Sequence, residues 1–217
     1  MTDLTPGLLM ILAAGAVPYL SHHVRQVFML LAIAVSAMSL TAGAGVHWVV
    51  PVFGQELILH HADNLTLPFG IIFHLAAALN VVYGWHEKRA MEHTAGLAYA
   101  GAAIAAVHAG DLITLFIWWE ATAVTSVFLI LASGTVRANK AAMRYLLVQV
   151  ASGVMLLAGA AFYWRETGSW AFSAMELGSL GTWLIFLAFG IKAAFPFLNG
   201  WLQDAYPEAT VIGTVML

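Results

Sequence analysis

Two full charges stand in the middle of apolar runs, and their residue types are suited to chemistry. Glu120 lies within DLITLFIWWEATAVTSVFLIL, and Lys192 lies within TWLIFLAFGIKAAFPFLNGWL. A charge at the centre of a membrane helix costs about 2.5–3.5 kcal/mol on insertion scales, so such a residue usually has a function. An acid and a base can neutralise each other, and either can carry a proton. The pair therefore predicts proton transfer, with a structural ion pair between two helices as the alternative.

Pro196 predicts a helix break beside the lysine. Proline has no N–H, and the carbonyl that it leaves without a helical donor belongs to Lys192, four residues earlier. Broken helices occur inside membranes where they line water-filled cavities, and transporters build ion sites from them. The alternative is a simple proline kink whose free carbonyl is satisfied by a neighbouring helix.

His74 and Arg144 are the remaining candidates for proton transfer. Histidine exchanges protons near neutral pH, although a lone buried histidine is more often a hydrogen-bonded packing residue. Arg144, with Gln149 and Ser152 beyond it on the same predicted helix, could extend a hydrated path or be an interfacial cation. The chain has no cysteine and no metal-ligand or nucleotide-binding pattern, so we predict neither a metal nor a cofactor.

The composition indicates that lipid surrounds these candidates. Of 217 residues, 62% are hydrophobic and only 9% are charged, whereas soluble domains carry roughly 25% charged residues. A soluble domain, a disordered chain and a nucleic-acid-binding protein are therefore excluded. We predict an all-α fold, a polytopic bundle of transmembrane helices.

Apolar runs predict about seven helices and the start of an eighth. At about 1.5 Å per residue, roughly 20 residues cross about 30 Å of hydrocarbon. The seventh helix should be broken between Lys192 and Pro196, and an eighth should begin at Pro207. From there 11 residues remain, about half a span, so we expect residues 1–217 to be part of a longer membrane domain. The predicted helices cover residues 6–20, 27–46, 64–84, 94–109, 111–132, 141–164 and 182–202.

The few basic residues outside the spans predict the orientation. Six of them fall in or beside alternate connections, and Arg165 alone falls on the opposite side. The positive-inside rule then places the N-terminus outside and those connections in the cytoplasm. Glu120, Lys192 and His74 all lie nine or ten residues into helices that enter from outside, at a depth of about 13–15 Å. The six basic residues are Arg25, Lys88, Arg89, Arg137, Lys140 and Arg144.

Two stretches resemble the antiporter-like subunits shared by respiratory complex I and multisubunit Mrp cation:proton antiporters. They are GDL followed by WWE within residues 110–120, and GIKAAFP followed by WLQDA within residues 190–205. The continuation YPEAT at residues 206–210 most resembles the D-type Mrp subunit. The resemblance covers nearly the whole chain but only the N-terminal part of the family fold, with residues 94–217 as the start of the first inverted-repeat half.

The resemblance implies a role for three residues. Glu120 matches the fifth-helix glutamate and Lys192 the lysine of the broken seventh helix, and their changing association is thought to gate proton movement. Arg144 stands where many members have a basic residue at the start of helix six. The resemblance further implies partner subunits in a hetero-oligomeric complex of the plasma membrane, with protons and sodium as the transported ions.

Three functions stay open from the sequence. The first is a proton-conducting subunit of an Mrp-type sodium:proton antiporter. The second is a proton-pumping subunit of complex I or of a membrane-bound hydrogenase, and the third is a scaffold subunit with an inert ion pair.

Overall fold

The computed structural model describes residues 4–52 and 54–217 and confirms a polytopic helical bundle. Four of its helical segments are long and apolar enough to cross a membrane: His22–Ala42, Thr66–His86, Leu112–Leu131 and Val136–Thr167. The α-helices of the described residues are α1 (Leu8–Ala14), α2 (His22–Ala37), α3 (Thr66–Tyr83), α4 (Ala90–Val107), α5 (Leu112–Leu131), α6 (Val136–Thr167), α7 (Leu180–Lys192), α8 (Gly200–Ala205) and α9 (Val211–Met216).

Helix α4 occupies the centre of the bundle. It packs against α1, α3 and α5, while α6 packs against α5 and α7. Alanine and glycine make up much of α4, and small residues let helix backbones approach closely in a membrane. A Cβ atom on Gly101 would lie only 2.6 Å from the carbonyl oxygen of Gly7. The close α1–α4 contact therefore requires glycine at this position.

A β-hairpin follows α2, where the sequence predicted a continuous helix to residue 46. The α-helix ends at Ala37, and β1 (Gly45–Val52) pairs antiparallel with β2 (Gln55–Ala62). Valine recurs through β1, and β-branched side chains fit the pleated surface of a strand. The predicted end of the second helix was therefore wrong, because an apolar run does not by itself distinguish a helix from a strand.

The hairpin is attached to the turn between α4 and α5. Gly110 N–H donates to the Ile58 carbonyl at 2.9 Å, and His61 N–H donates to the His108 carbonyl at 2.8 Å. Asp111 Oδ2 accepts from Ile58 N–H at 2.7 Å, while its Oδ1 accepts from the N–H groups of Ile113 and Thr114. Asp111 therefore caps α5 and also holds the hairpin.

The seventh helix is broken, as predicted. Helix α7 ends at Lys192, and the next helix, α8, begins at Gly200. Between them Ala194 and Phe197 have φ angles of 53° and 71°, a left-handed conformation that non-glycine residues rarely adopt. The Phe195 ring folds back over Gly190, where a Cβ atom would approach it to 2.9 Å. The break thus involves several residues around Pro196 and not the proline alone.

The start of the eighth helix differs from the prediction. Residues Tyr206–Glu208 form a short 3₁₀ turn, and the α-helix begins at Val211. Thr210 Oγ1 accepts from Gly213 N–H at 2.9 Å and so caps this helix. The helix therefore begins four residues later than Pro207 suggested, because threonine supplies the cap.

Basic residues gather at one end of the bundle, opposite the hairpin. Arg25 donates to the Lys88 carbonyl at 3.0 Å, and Arg89 donates to the Ala132 carbonyl at 2.6 Å. Arg137 pairs with Glu208 at 2.5 Å. The predicted segregation of charge is present in the fold, and the assignment of this end to the cytoplasm stays a prediction.

Candidate proton-transfer site

Lys192 reaches from the end of α7 to the middle of α5. Its Nζ donates to Thr122 Oγ1 at 3.0 Å and lies 5.2 Å from the centre of the Trp119 ring. The Thr122 hydroxyl donates its own hydrogen to the Trp119 carbonyl at 2.7 Å, which leaves its lone pairs to accept from the ammonium group. A hydroxyl and an aromatic face thus stabilise the half-buried charge.

Glu120 lies on the same stretch of α5, against α6. Its Oε1 is buried and has no hydrogen-bond partner. The carboxylate fills the space beside Gly153, and a Cβ atom on that glycine would lie 2.7 Å from Glu120 Cδ and overlap Oε1. The glycine therefore makes room for a carboxylate inside the helix interface.

The acid and the base are neighbours without being an ion pair. Of the residues that the structure describes, four pairs of opposite charge lie within 4.0 Å, and none joins Glu120 to Lys192. The lysine is bonded to Thr122, two residues along α5 from the glutamate. A carboxylate with an unpartnered oxygen can accept a proton, and an ammonium group on a hydroxyl can donate one, so the arrangement suits reversible proton transfer.

Helix α6 is fixed against α5 by two side-chain hydrogen bonds. Trp119 Nε1 donates to Ser152 Oγ at 2.9 Å. Ser126 Oγ and Tyr145 Oη are 2.8 Å apart. The hydrogen bond to Ser152 thus holds the Trp119 ring in place against Lys192 more firmly than packing alone would.

Arg144 lies at the basic end of the bundle and not in the Glu120–Lys192 cluster. Its Nε and Nη2 donate to the two carboxylate oxygens of Asp204 at 2.6 and 2.7 Å. The hydrogen bond from this guanidinium lowers the pKa of the Asp204 carboxyl. The pair ties α6 to α8 near the surface, and a part for Arg144 in proton transfer stays a prediction.

His74 is also outside that cluster. It is buried in α3, where its Nδ1 donates to the Gly70 carbonyl at 2.7 Å and its Nε2 bonds with Ser36 Oγ at 3.0 Å. Ser36 lies on α2 and Gly70 lies on α3, and α4 packs between α3 and α5. The structure gives His74 the hydrogen bonds of a packing residue, and its role in proton transfer stays a prediction.

The sequence did not indicate three residues of the cluster. Thr122 and Gly153 had no assigned role, and Trp119 appeared only as part of the WWE stretch that carries the resemblance. Thr122 lies one turn beyond Trp119 on the same helix face, and this spacing was the available signal. Nothing local marked Gly153, because its use depends on which helix packs against it.

The chain matches known proteins in sequence. Residues 109–217 match the family described as NADH:quinone oxidoreductase/Mrp antiporter, TM. NAD(P)H-quinone oxidoreductase chain 4-2 of Synechocystis is 32% identical over 184 residues, which cover 77% of this chain and 32% of that protein. NADH-quinone oxidoreductase subunit M of Escherichia coli K12 is 30% identical over 208 residues, which cover 82% of this chain and 41% of that protein. The chain thus spans about a third of the first relative.

The fold also matches part of a chain in a solved protein complex. A chain in the structure of the Mrp complex from Dietzia superposes with a TM-score of 0.77 at 22% identity, over 97% of this chain and 26% of that one. The matched residues include Glu120 of α5, Lys192 of α7 and the helix break at Pro196. The chain belongs to the NADH:quinone oxidoreductase/Mrp antiporter transmembrane family.

Proposed function

We propose that this chain is the proton-conducting part of a membrane subunit of an Mrp-type sodium:proton antiporter, with Glu120 and Lys192 as the proton-transfer pair. One observation carries the proposal: a lysine at a helix break is bonded to Thr122, beside a buried carboxylate oxygen that has no partner. The family membership and the likeness to a chain of the Mrp complex support it.

Electrostatics provides the mechanism. Two opposite charges 4 Å apart attract by about 4 kcal/mol at an effective dielectric constant of 20. When Glu120 approaches Lys192, the lysine holds its proton more strongly, and when they separate the proton is released more readily. The observed arrangement, with the lysine on Thr122, is a separated state of the pair. The alternation of the two states moves a proton.

The helix break gives Lys192 freedom to make that movement. As the last residue of α7, it is followed by backbone outside regular helix until α8 begins. A lysine at such a terminus can change its position without disturbing a continuous ladder of backbone hydrogen bonds. His74 and Arg144 are proposed as accessory proton-transfer groups, although neither lies in the cluster.

The test of the proposal is proton flux through the assembled complex in proteoliposomes. Glu120→Gln and Lys192→Ala should each abolish cation-dependent flux while the subunit remains assembled. A purely structural pair would give the opposite pattern, since removing one partner of a buried pair costs about 3–5 kcal/mol and reduces assembly. Wild-type flux in assembled complexes of either variant would refute the assignment.

A second candidate function is a proton-pumping subunit of a redox-driven complex. The names of the relatives favour it, because both are subunits of quinone oxidoreductases. Genes adjacent to this one separate the two functions: small Mrp subunits indicate an antiporter, and NADH- or hydrogenase-module genes indicate a redox pump. In either complex the chain works with other membrane subunits.

The orientation is part of the proposal and can be tested directly. The chain has no cysteine, so single cysteines introduced by Asn139→Cys and Ala174→Cys can be labelled without background. Both positions are exposed: Asn139 lies in the first turns of α6, and Ala174 lies in the connection that follows the other end of α6. With the N-terminus outside, the first should react with an impermeant thiol reagent only from the cytoplasm and the second only from outside.

A further inference from the structure

Helices α5 and α6 pack with a regular antiparallel register. Trp119 bonds to Ser152, and Ser126 bonds to Tyr145. From the first contact to the second, the residue number increases by seven on α5 and decreases by seven on α6. The register therefore places Gln149 of α6 opposite Thr122 of α5, midway between the two contacts.

The Gln149 side chain at this position is fully buried and unpartnered. Its exposed fraction is 0%, and neither its Oε1 nor its Nε2 has a hydrogen-bond partner in the protein. An amide can donate two hydrogen bonds and accept two, and burying one without any bond is unfavourable. Buried polar groups that lack protein partners are commonly satisfied by ordered water.

A closed ring of contacts surrounds this level of the bundle. Opposite Gln149, Thr122 accepts from Lys192, and one helical turn away along α6 the Tyr145 and Trp201 ring centres are 5.5 Å apart. Trp201 Nε1 in turn donates to the carbonyl of Ile191, the neighbour of Lys192, at 2.9 Å. Four helices thus enclose the amide between the lysine and the Ser126–Tyr145 pair.

We propose that Gln149 is a positioning residue of the proton-transfer site, which holds an ordered water between Lys192–Thr122 and Ser126–Tyr145. The inference rests on the proposed function for its role in flux. When Lys192 releases its proton, an N–H bond of the ammonium breaks and an O–H bond forms on the water, leaving a neutral amine. The Gln149 carbonyl oxygen accepts a hydrogen bond from that water and stabilises its positive charge. Gln149 itself exchanges no proton.

The presence of the water can be measured without activity. Tyrosine reacts with hydroxyl radicals that X-rays generate from bound water, so Tyr145 should be labelled in the purified complex although only 5% of it is exposed. Gln149→Leu, which removes the amide at similar volume, should abolish most of this labelling. Val150→Leu, on the exposed side of α6, is the matched control and should leave it unchanged.

Flux tests the positioning role. Gln149→Leu should lower proton flux by about tenfold or more, a barrier change of about 1.4 kcal/mol, and Gln149→Asn should restore part of it. Gln149→Met replaces Gln149→Leu if the leucine variant does not assemble.

Two results would overturn the water site: Tyr145 that is labelled in Gln149→Leu as in the wild type, or Tyr145 that is not labelled in the wild type. If labelling is lost in Gln149→Leu but flux stays normal, the positioning role is overturned. Flux that survives Glu120→Gln refutes the proposed function, whereas the labelling result still decides the water site.

Discussion

The carboxylate of Glu120 occupies the space that a side chain at position 153 would fill, because that position is a glycine. A Cβ atom there would lie 2.7 Å from Glu120 Cδ and overlap Oε1. The position of the acid on α5 is therefore set by the shape of α6, and the two helices cannot slide past each other without moving it.

Gly153→Ala should displace the Glu120 carboxylate and reduce proton flux by about tenfold, because a barrier change of about 1.4 kcal/mol has that effect on a rate. The variant removes no charge, so an effect on flux reports the position of the acid. Gly200→Ala is the matched control, since a Cβ atom there has no neighbour within 4 Å. Flux and assembly on native gels are measured together, and wild-type flux in Gly153→Ala would contradict the geometry.

The sequence predicted the two charged residues of the site but not the groups that hold them. Glu120 and Lys192 were recognisable because a charge in an apolar run is costly wherever the helix packs. Thr122 and Gly153 are ordinary residues in a membrane helix, and their roles arise only when α7 and α6 pack against α5. Such contacts join residues far apart in the chain, so no local pattern contains them.

The helix elements were predicted better than the connections. Helices α3 and α5 begin and end within about two residues of the expected positions, because long apolar runs determine them. The hairpin of β1 and β2 was missed, since the valine-rich segment continued the apolar run of α2. The break after Lys192 was predicted from Pro196, whereas the left-handed backbone of Ala194 was not.

Thr122→Val should weaken proton transfer by removing the hydroxyl that accepts from Lys192. A hydrogen bond to a charged group contributes about 1.5–3 kcal/mol, so the ammonium group should be held less firmly at this position and flux should fall. Thr125→Val is the matched control, because the Thr125 hydroxyl donates within its own helix to the Ala121 carbonyl at 2.7 Å. Equal flux in the two variants would show that the Lys192 contact has no function.

Pro196→Ala should slow transport by allowing α7 to continue past Lys192. An alanine at this position has an N–H that can donate to the Lys192 carbonyl, so the lysine would be held in a regular helix. Ala194→Gly is the informative comparison, since glycine adopts the left-handed conformation at 194 without strain and preserves the break. We expect reduced flux in the first variant and wild-type flux in the second. Unchanged flux in Pro196→Ala would mean that the break serves packing only.

The loop before α4 should make the stability of the protein depend on pH in the acid range. Arg89 donates to Glu87 at 2.8 Å, and the backbone N–H groups of Lys88 and Arg89 donate to the same carboxylate. The side-chain hydrogen bond from Arg89 is the main cause that lowers the pKa of Glu87 from 4.5 to about 2. Because the folded protein holds this carboxylate charged, the stabilisation is complete above pH 4.5 and is lost as the pH falls towards 2.

Glu87→Gln tests that dependence through the melting temperature of the purified protein. The variant should melt below the wild type at pH 7, and the difference should shrink as the pH falls from 4.5 towards 2, where the wild-type carboxylate becomes protonated. Glu166→Gln changes an exposed glutamate at the end of α6 and is the control for the loss of one negative charge. A constant difference between Glu87→Gln and the wild type across this range would show that the Arg89 contact does not stabilise the fold.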